Sequence, residues 1–182
     1  MLKGLHRWLP AWLTRKRTNV PAERHVFIAV CDHFEPLHDA DKTTALARIA
    51  RWQTEFSEIC ALYRDSSGTP PRHTFFYPIE QWDPDICGAL ARLCHTTGSE
   101  TEIHLHHRDD TSENLRRVLI EGKERLASIG LLSRDPEGEI RYGFIHGNWA
   151  LDHSHPRGLA CGVPDELAIL RQTGCYADFT LP

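Results

Sequence analysis

The stretch TEIHLHHRDDTSENLRRVLIEGKERLASIG, residues 101–130, decides the fold. Its opening TEIHLHH alternates apolar Ile103 and Leu105 with His104 and His106, the two-residue period of a strand. The period then changes. Leu115, Val118, Leu119, Leu126 and Ile129 recur at helical spacing, and Asp110 with Glu113 matches a capping box at the helix start. A strand leading directly into an amphipathic helix is one β/α unit, and the rest of the chain repeats it.

Upstream, HVFIAVCDHF (residues 25–34) is an almost unbroken apolar run, as expected of a strand buried on both faces. Residues 41–64 carry Leu46, Ile49, Phe56, Ile59, Cys60 and Tyr63 at helical spacing. RHTFFYPI (72–79) predicts a second strand, with Phe75, Phe76 and Tyr77 as core. DPDICGALARLCHTTG (83–98) predicts a helix with Asp83 as cap, Pro84 at its first position and Gly98 at its stop. Downstream come a strand in EIRYGFIHGNW (139–149), a helix in VPDELAILRQTG (163–174) and a fifth strand in CYADFTLP (175–182). Five strands alternating with four helices predict an α/β domain with a parallel sheet or barrel. The last strand has no covering helix, and an eight-stranded barrel takes roughly 200 residues or more. Residues 25–182 are therefore expected to be the N-terminal, five-stranded portion of a longer barrel.

The 182 residues suit one domain, with 41% apolar and 25% charged residues and a net charge of −4, which excludes the strongly basic face of a nucleic-acid binder. The six cysteines, at 31, 60, 87, 94, 161 and 175, form no C-x-x-C pair and sit mostly in apolar runs. They read as small buried hydrophobes of a reducing compartment, and no apolar run approaches the ~20 residues of a membrane span, so a cytoplasmic location is expected. Residues 1–24 form a basic arm with Leu2, Leu5, Trp8, Leu9 and Trp12 on one amphipathic face. The arm is expected to pack on the domain rather than on a membrane, with Pro10 limiting any helix in it.

The compositional oddity is twelve histidines. In parallel α/β folds the working residues gather where strands end. The first strand ends in Asp32, His33 and Glu35, the second in Glu80, the third in His104 to Asp110, and the fourth in His146, Asn148, Trp149 and Asp152. His104 and His106 share one strand face, so with a carboxylate or histidine of the first strand they make a common ligand set for zinc or a similar divalent ion. His33 is the third expected ligand, with Glu35 competing for that place. Asp32 is expected as a ligand or as a base that takes a proton from a metal-bound water, and His146 as a general acid or a further metal ligand. Asn148 and Trp149 suit a polar contact and a stacking wall for a sugar ring, with Asp152 and Glu80 as further substrate contacts. Gly147 is expected to let the backbone turn sharply there. His107 is expected behind the ligands or at the surface, and Asp110 as a helix cap.

The segments CDHFEP, EIHLHH and HGNWALD resemble the polysaccharide deacetylase (NodB-homology) family over residues 25–182. The resemblance implies a distorted (β/α)7 barrel, a divalent ion, and hydrolysis of an acyl group on a carbohydrate. On that likeness Asp32 takes the place of the base and His106 that of the first histidine of a pair. Asp110 stands where the second histidine falls, with His104 compensating from upstream. A last histidine motif would lie beyond Pro182. Two other functions fit the residues alone. One is a carbohydrate-binding barrel without catalysis. The other is a glycoside hydrolase that pairs Asp32 with Glu80 or Asp152.

Overall fold

The computed structural model describes residues 5–16, 24–148 and 150–180. Among the described residues five α-helices and five strands follow one another: α1 Leu5–Thr14, β1 Cys31–His33, α2 Lys42–Leu62, β2 Thr74–Pro78, α3 Pro84–Thr97, β3 Glu100–Leu105, α4 Ser112–Ser128, β4 Tyr142–His146, α5 Glu166–Thr173 and β5 Cys175–Asp178. The five strands are parallel and lie in sequence order, β1-β2-β3-β4-β5. The α/β alternation is thus as the sequence predicts. The five strands form an open sheet with β1 and β5 as its edges, not a closed barrel.

One contiguous core joins the inner residues of all four later helices to alternate residues of the strands. Ala45 and Ile49 of α2, Leu90 and Leu93 of α3, Leu115 and Leu119 of α4, and Ile169 and Leu170 of α5 meet Phe75, Tyr77, Ile103, Leu105, Tyr142 and Phe144. The interleaved strand residues Phe76 and Ile145 are buried but lie outside this cluster. The helices therefore cover one face of the sheet. The other face carries His33, Phe76, Glu102, His104 and Ile145.

The helix boundaries follow local chemistry. Asp41 caps α2 by accepting from the Thr44 amide at 2.8 Å, and Asp83 caps α3 by accepting from Asp85 and Ile86. Gly98 and Gly174 end α3 and α5 with φ of 67° and 107°, a conformation that suits glycine. The cap of α4 is Thr111, which accepts from the Asn114 amide, rather than Asp110. Asp110 sits one residue too early and spends its carboxylate on the Thr111 amide, the Asn114 side chain and His107.

The long first strand does not form. Only Cys31–His33 pairs with β2, and Val26, Phe27 and Ile28 are each more than four-fifths exposed. The register explains the stop. Cys31 is opposite Thr74, so Ile28 and Phe27 would face Pro71 and Pro70, which have no N–H for a ladder. Helix α1 runs through Pro10 despite the missing donor and contributes no buried residue.

The core carries the stability. Leu90→Ala, at a fully buried position of α3, should lower the unfolding free energy by about 2–5 kcal/mol in urea titration. Arg117→Ala, which breaks an exposed i,i+4 pair with Glu121, should change it by less than about 1 kcal/mol.

Candidate metal centre

Strand alternation sorts the predicted residues onto two faces. On β1 and the loop after it, His33 and Glu35 turn to the open face, while Asp32 and Phe34 turn toward α2. On β3, Glu102 and His104 share the open face, and His106 follows them. Leu105 and His107 turn to the helices. At the strand ends this gives two separate clusters.

The first lies on the open face. His104 Nε2 is 3.2 Å from Glu35 Oε1, His106 Nε2 is 3.7 Å from the same oxygen and His33 Nδ1 is 3.9 Å from it. The His33 and His104 rings lie 4.4 Å apart, and the His104 and His106 rings 4.5 Å apart. The ligand atoms of His33, Glu35 and His104 all fall within 4.8 Å of one another.

The far side of each ring decides what these atoms are. His104 Nδ1 is 3.0 Å from the Ile145 carbonyl, which can only accept, so Nδ1 carries the proton. Burial, aided by the nearby His33 and His106 rings, pushes the His104 pKa down to about 3. The ring is therefore neutral, and Nε2 presents a lone pair toward a carboxylate oxygen. That fully buried Nε2 has no hydrogen-bond partner among the described residues. His106 repeats the arrangement: Nδ1 donates to Glu80 Oε1 at 2.7 Å, so in the neutral ring the Nε2 lone pair is on the Glu35 side. A backbone carbonyl or a carboxylate behind each ring is the usual support of metal-binding histidines. Imidazole nitrogens and a carboxylate oxygen converge around the fully buried His104 from partly exposed neighbours, and a cation among them would relieve their repulsion. The donor set, imidazole and carboxylate, suits zinc and similar divalent ions.

The second cluster lies on the helix face. His107 Nε2 is 2.8 Å from Glu166 Oε1, and His107 Nδ1 is 3.2 Å from Asp110 Oδ2. His146 Nε2 is 3.7 Å from Glu166 Oε1, and its ring lies 4.7 Å from that of His107. The positions of His107, His146 and Glu166 also fit a metal ion by distance, and the three side chains are buried. The protons argue against that use. His146 Nδ1 accepts the Asn148 amide N–H at 3.0 Å, so in the neutral ring Nε2 bears the hydrogen and offers no lone pair. Burial keeps that ring neutral, with a pKa pushed down to about 4. Each nitrogen of His107 already faces a carboxylate. His107 hydrogen-bonds Glu166 and so ties the segment after β3 to α5, while the buried His146 Nε2, 3.7 Å from the same oxygen, has no hydrogen-bond partner among the described residues. Glu166 Oε2 accepts from the Asp152 amide at 2.8 Å.

The remaining predicted residues divide in the same way. Asp32 Oδ1 pairs with His73 Nε2 at 3.0 Å, and His73 packs against Trp52 and Phe75. Asp32 is thus on the opposite strand face from His104. His146 belongs to the helix-face cluster, not to the one around Glu35. Asn148 braces the loop after β4 by donating to the His107 carbonyl, and Asp152 Oδ1 accepts from the Leu167 amide. Trp149 lies outside the described residues. Asp32, Glu80 and Asp152 each serve a different partner: His73, His106 and the Leu167 amide. Gly147 opens the turn that follows β4 and also gives a histidine room: a Cβ there would collide with the His106 ring. Gly162 gives His107 the same room, with 2.1 Å from an added Cβ to Cε1.

Glu166 and His73 are the residues sequence reasoning missed. Glu166 reads as an ordinary acidic residue in the first turn of a helix, and only the packing of α5 against α4 and the Leu151–His153 turn buries it. A groove of about 550 Å³ between β1 and α2 is lined by Val30, Phe34, Trp52, Phe56 and His73 and touches the first cluster only at Glu35. Its arginines are already engaged, Arg48 by the Pro36 and His38 carbonyls and Arg51 by Glu55.

Comparison with protein families, curated proteins and solved structures finds no match to this chain.

The buried His104 gives a signed pH dependence. In the unfolded chain it takes its ordinary value near 6.5, and in the fold about 3, so between these values the unfolded chain binds the extra proton. Its contribution to stability is full above the unfolded value and is lost as pH falls toward the folded one. Urea titrations of metal-free protein at about pH 7 and about pH 5 should show a falling midpoint. His104→Phe should flatten that fall, and equal slopes in the two proteins would refute the assignment.

Proposed function

We propose that this chain is a metal-dependent hydrolase that removes an acyl group from a carbohydrate or a similar amide or ester. One divalent cation, zinc by preference, is held by His104, His106 and Glu35, with His33 beside them. The observation that carries the reading is the 3.2 Å approach of the His104 Nε2 lone pair to a Glu35 oxygen, with no proton to join them. We further propose that the sheet is part of a β/α barrel of the deacetylase type. Sequential parallel strands with every covering helix on one face support that reading.

The bound cation would supply Lewis acidity, polarising the acyl carbonyl and neutralising the oxyanion that forms on attack. The chain's own residues prepare the place for it. The Ile145 carbonyl holds His104 in one tautomer, and burial keeps that ring neutral with its lone pair toward the cluster. Glu80 holds His106 in the matching tautomer. Ile145 and Phe76 are buried on the same face and limit water beside the cluster. Asp32 and His146 have no place in this scheme, because both sit on the helix face with partners of their own.

Metal analysis of purified protein should find a stoichiometric divalent ion. Hydrolysis of acetylated chito-oligosaccharides or an aryl acetate should stop with a chelator and return with zinc or cobalt. His104→Ala and Glu35→Ala should abolish both binding and turnover, and Glu80→Ala should weaken metal affinity about 10–100-fold by freeing His106. Protein that binds no ion, or turnover that survives the chelator, would overturn the proposal. Stoichiometric metal without turnover on any acylated substrate would leave a metal-holding carbohydrate binder.

A further inference from the structure

The metal centre makes no use of α1, yet this helix has a specific composition. Leu5, Trp8, Leu9, Trp12 and Leu13 recur at i, i+3, i+4, i+7 and i+8, which gathers them into one continuous stripe. His6, Arg7, Pro10 and Thr14 take the other side. The fold leaves most of the stripe open. None of the ten residues of α1 is buried: Leu5 and Leu9 are partly covered, Trp8 and Trp12 are about half exposed, and Leu13 is two-thirds exposed.

Charge accompanies the stripe. The first 22 residues hold Lys3, Arg7, Arg15, Lys16 and Arg17 and no acidic residue, in a chain whose net charge is −4. The Arg15 guanidinium lies over the Trp12 ring, 4.9 Å from its centroid. A cation is thereby held at the level of an indole, the depth at which tryptophan sits between headgroups and acyl chains. At ten residues α1 is half the ~20 needed to span a bilayer. Among the described residues no helix is long and apolar enough to cross one. A short helix with a Trp/Leu stripe and flanking cations lies in the interface plane instead.

We propose that α1 is an interfacial anchor for anionic lipid bilayers, with Leu5, Trp8, Leu9, Trp12 and Leu13 entering the headgroup boundary and Arg7, Arg15 and Lys16 meeting lipid phosphates. A protein groove would take the apolar stripe equally well. The basic excess confined to this arm, against an acidic whole, favours the anionic bilayer. The anchor does not depend on the metal centre, and neither reading falls with the other.

The test is co-sedimentation of the full chain with vesicles of phosphatidylcholine alone and of equal parts phosphatidylcholine and phosphatidylglycerol. The chain should pellet with the anionic vesicles, and added salt should release much of it. The double variant Trp8→Ala and Trp12→Ala should partition roughly tenfold less or weaker still. Arg15→Glu with Lys16→Glu should remove the preference for phosphatidylglycerol. These positions are exposed, so circular dichroism should show the domain unchanged. A full chain left in the supernatant with both vesicles, or a tryptophan variant that pellets like the parent, would overturn the anchor and leave α1 as a protein-docking element.

Discussion

The two-residue period of a strand is the constraint on which the site depends. Side chains at successive positions leave a strand on opposite faces. On β1 this separates His33 from Asp32, which are adjacent in sequence and serve different clusters. Past the end of β3 it separates His106 from His107 in the same way. A sheet with helices on one face only gives the two sets different surroundings. One set meets the helix core, where Glu166 and Asp110 receive His107. The other meets the open face, where Glu35 and Glu80 receive His104 and His106. A shift of one residue in the register of β3 would exchange the two sets and dissolve both clusters.

Proximity alone does not distinguish a metal centre from a hydrogen-bond network. Both clusters contain two or more histidines and a glutamate within a few ångströms. The difference lies in what stands behind each ring. An acceptor behind Nδ1, such as the Ile145 carbonyl or Glu80, draws the proton away from the cluster and leaves a lone pair facing it. A donor behind Nδ1, such as the Asn148 amide, does the reverse and leaves an N–H facing Glu166. Backbone groups on β4 and the loop after it thus assign the two chemistries. Burial reinforces both assignments by keeping the imidazoles of His104 and His146 neutral.

This explains what could be read from the sequence. The alternation of Ile103 and Leu105 with His104 and His106, and the helical spacing of Leu115 and Leu119, are local patterns, and they gave the α/β order and the open-face pair. His33 and Glu35 were open to the same parity rule. The pairing of Asp32 with His73 was not, because it depends on how β1 and β2 align across 41 residues. Glu166 was hidden for a similar reason: its burial comes from the docking of α5, and nothing at residues 164–168 announces it. The length of the first strand was misjudged because an apolar run shows only what a segment could bury. Whether it pairs depends on the neighbour, and here the neighbour begins with Pro70 and Pro71.

The short first strand also bears on what a cation would do for the fold. β1 has three residues, sits at a sheet edge and is hydrogen-bonded only to β2 within the sheet. Glu35 of the proposed ligand set, with His33 beside it, hangs from this strand and its loop, while His104 and His106 come from β3 and the residues just past it, on the far side of β2. An ion held between them would cross-link the least secured strand to a central one over the top of β2. Whatever free energy such an ion gives up on binding the folded chain appears as stability, because the unfolded chain does not bring these four groups together. The convergence of lone pairs and carboxylate that disfavours the cluster by itself then becomes favourable. The proposed ion would also fasten the edge that carries its ligands, so ion binding and order of the β1 loop would rise and fall together.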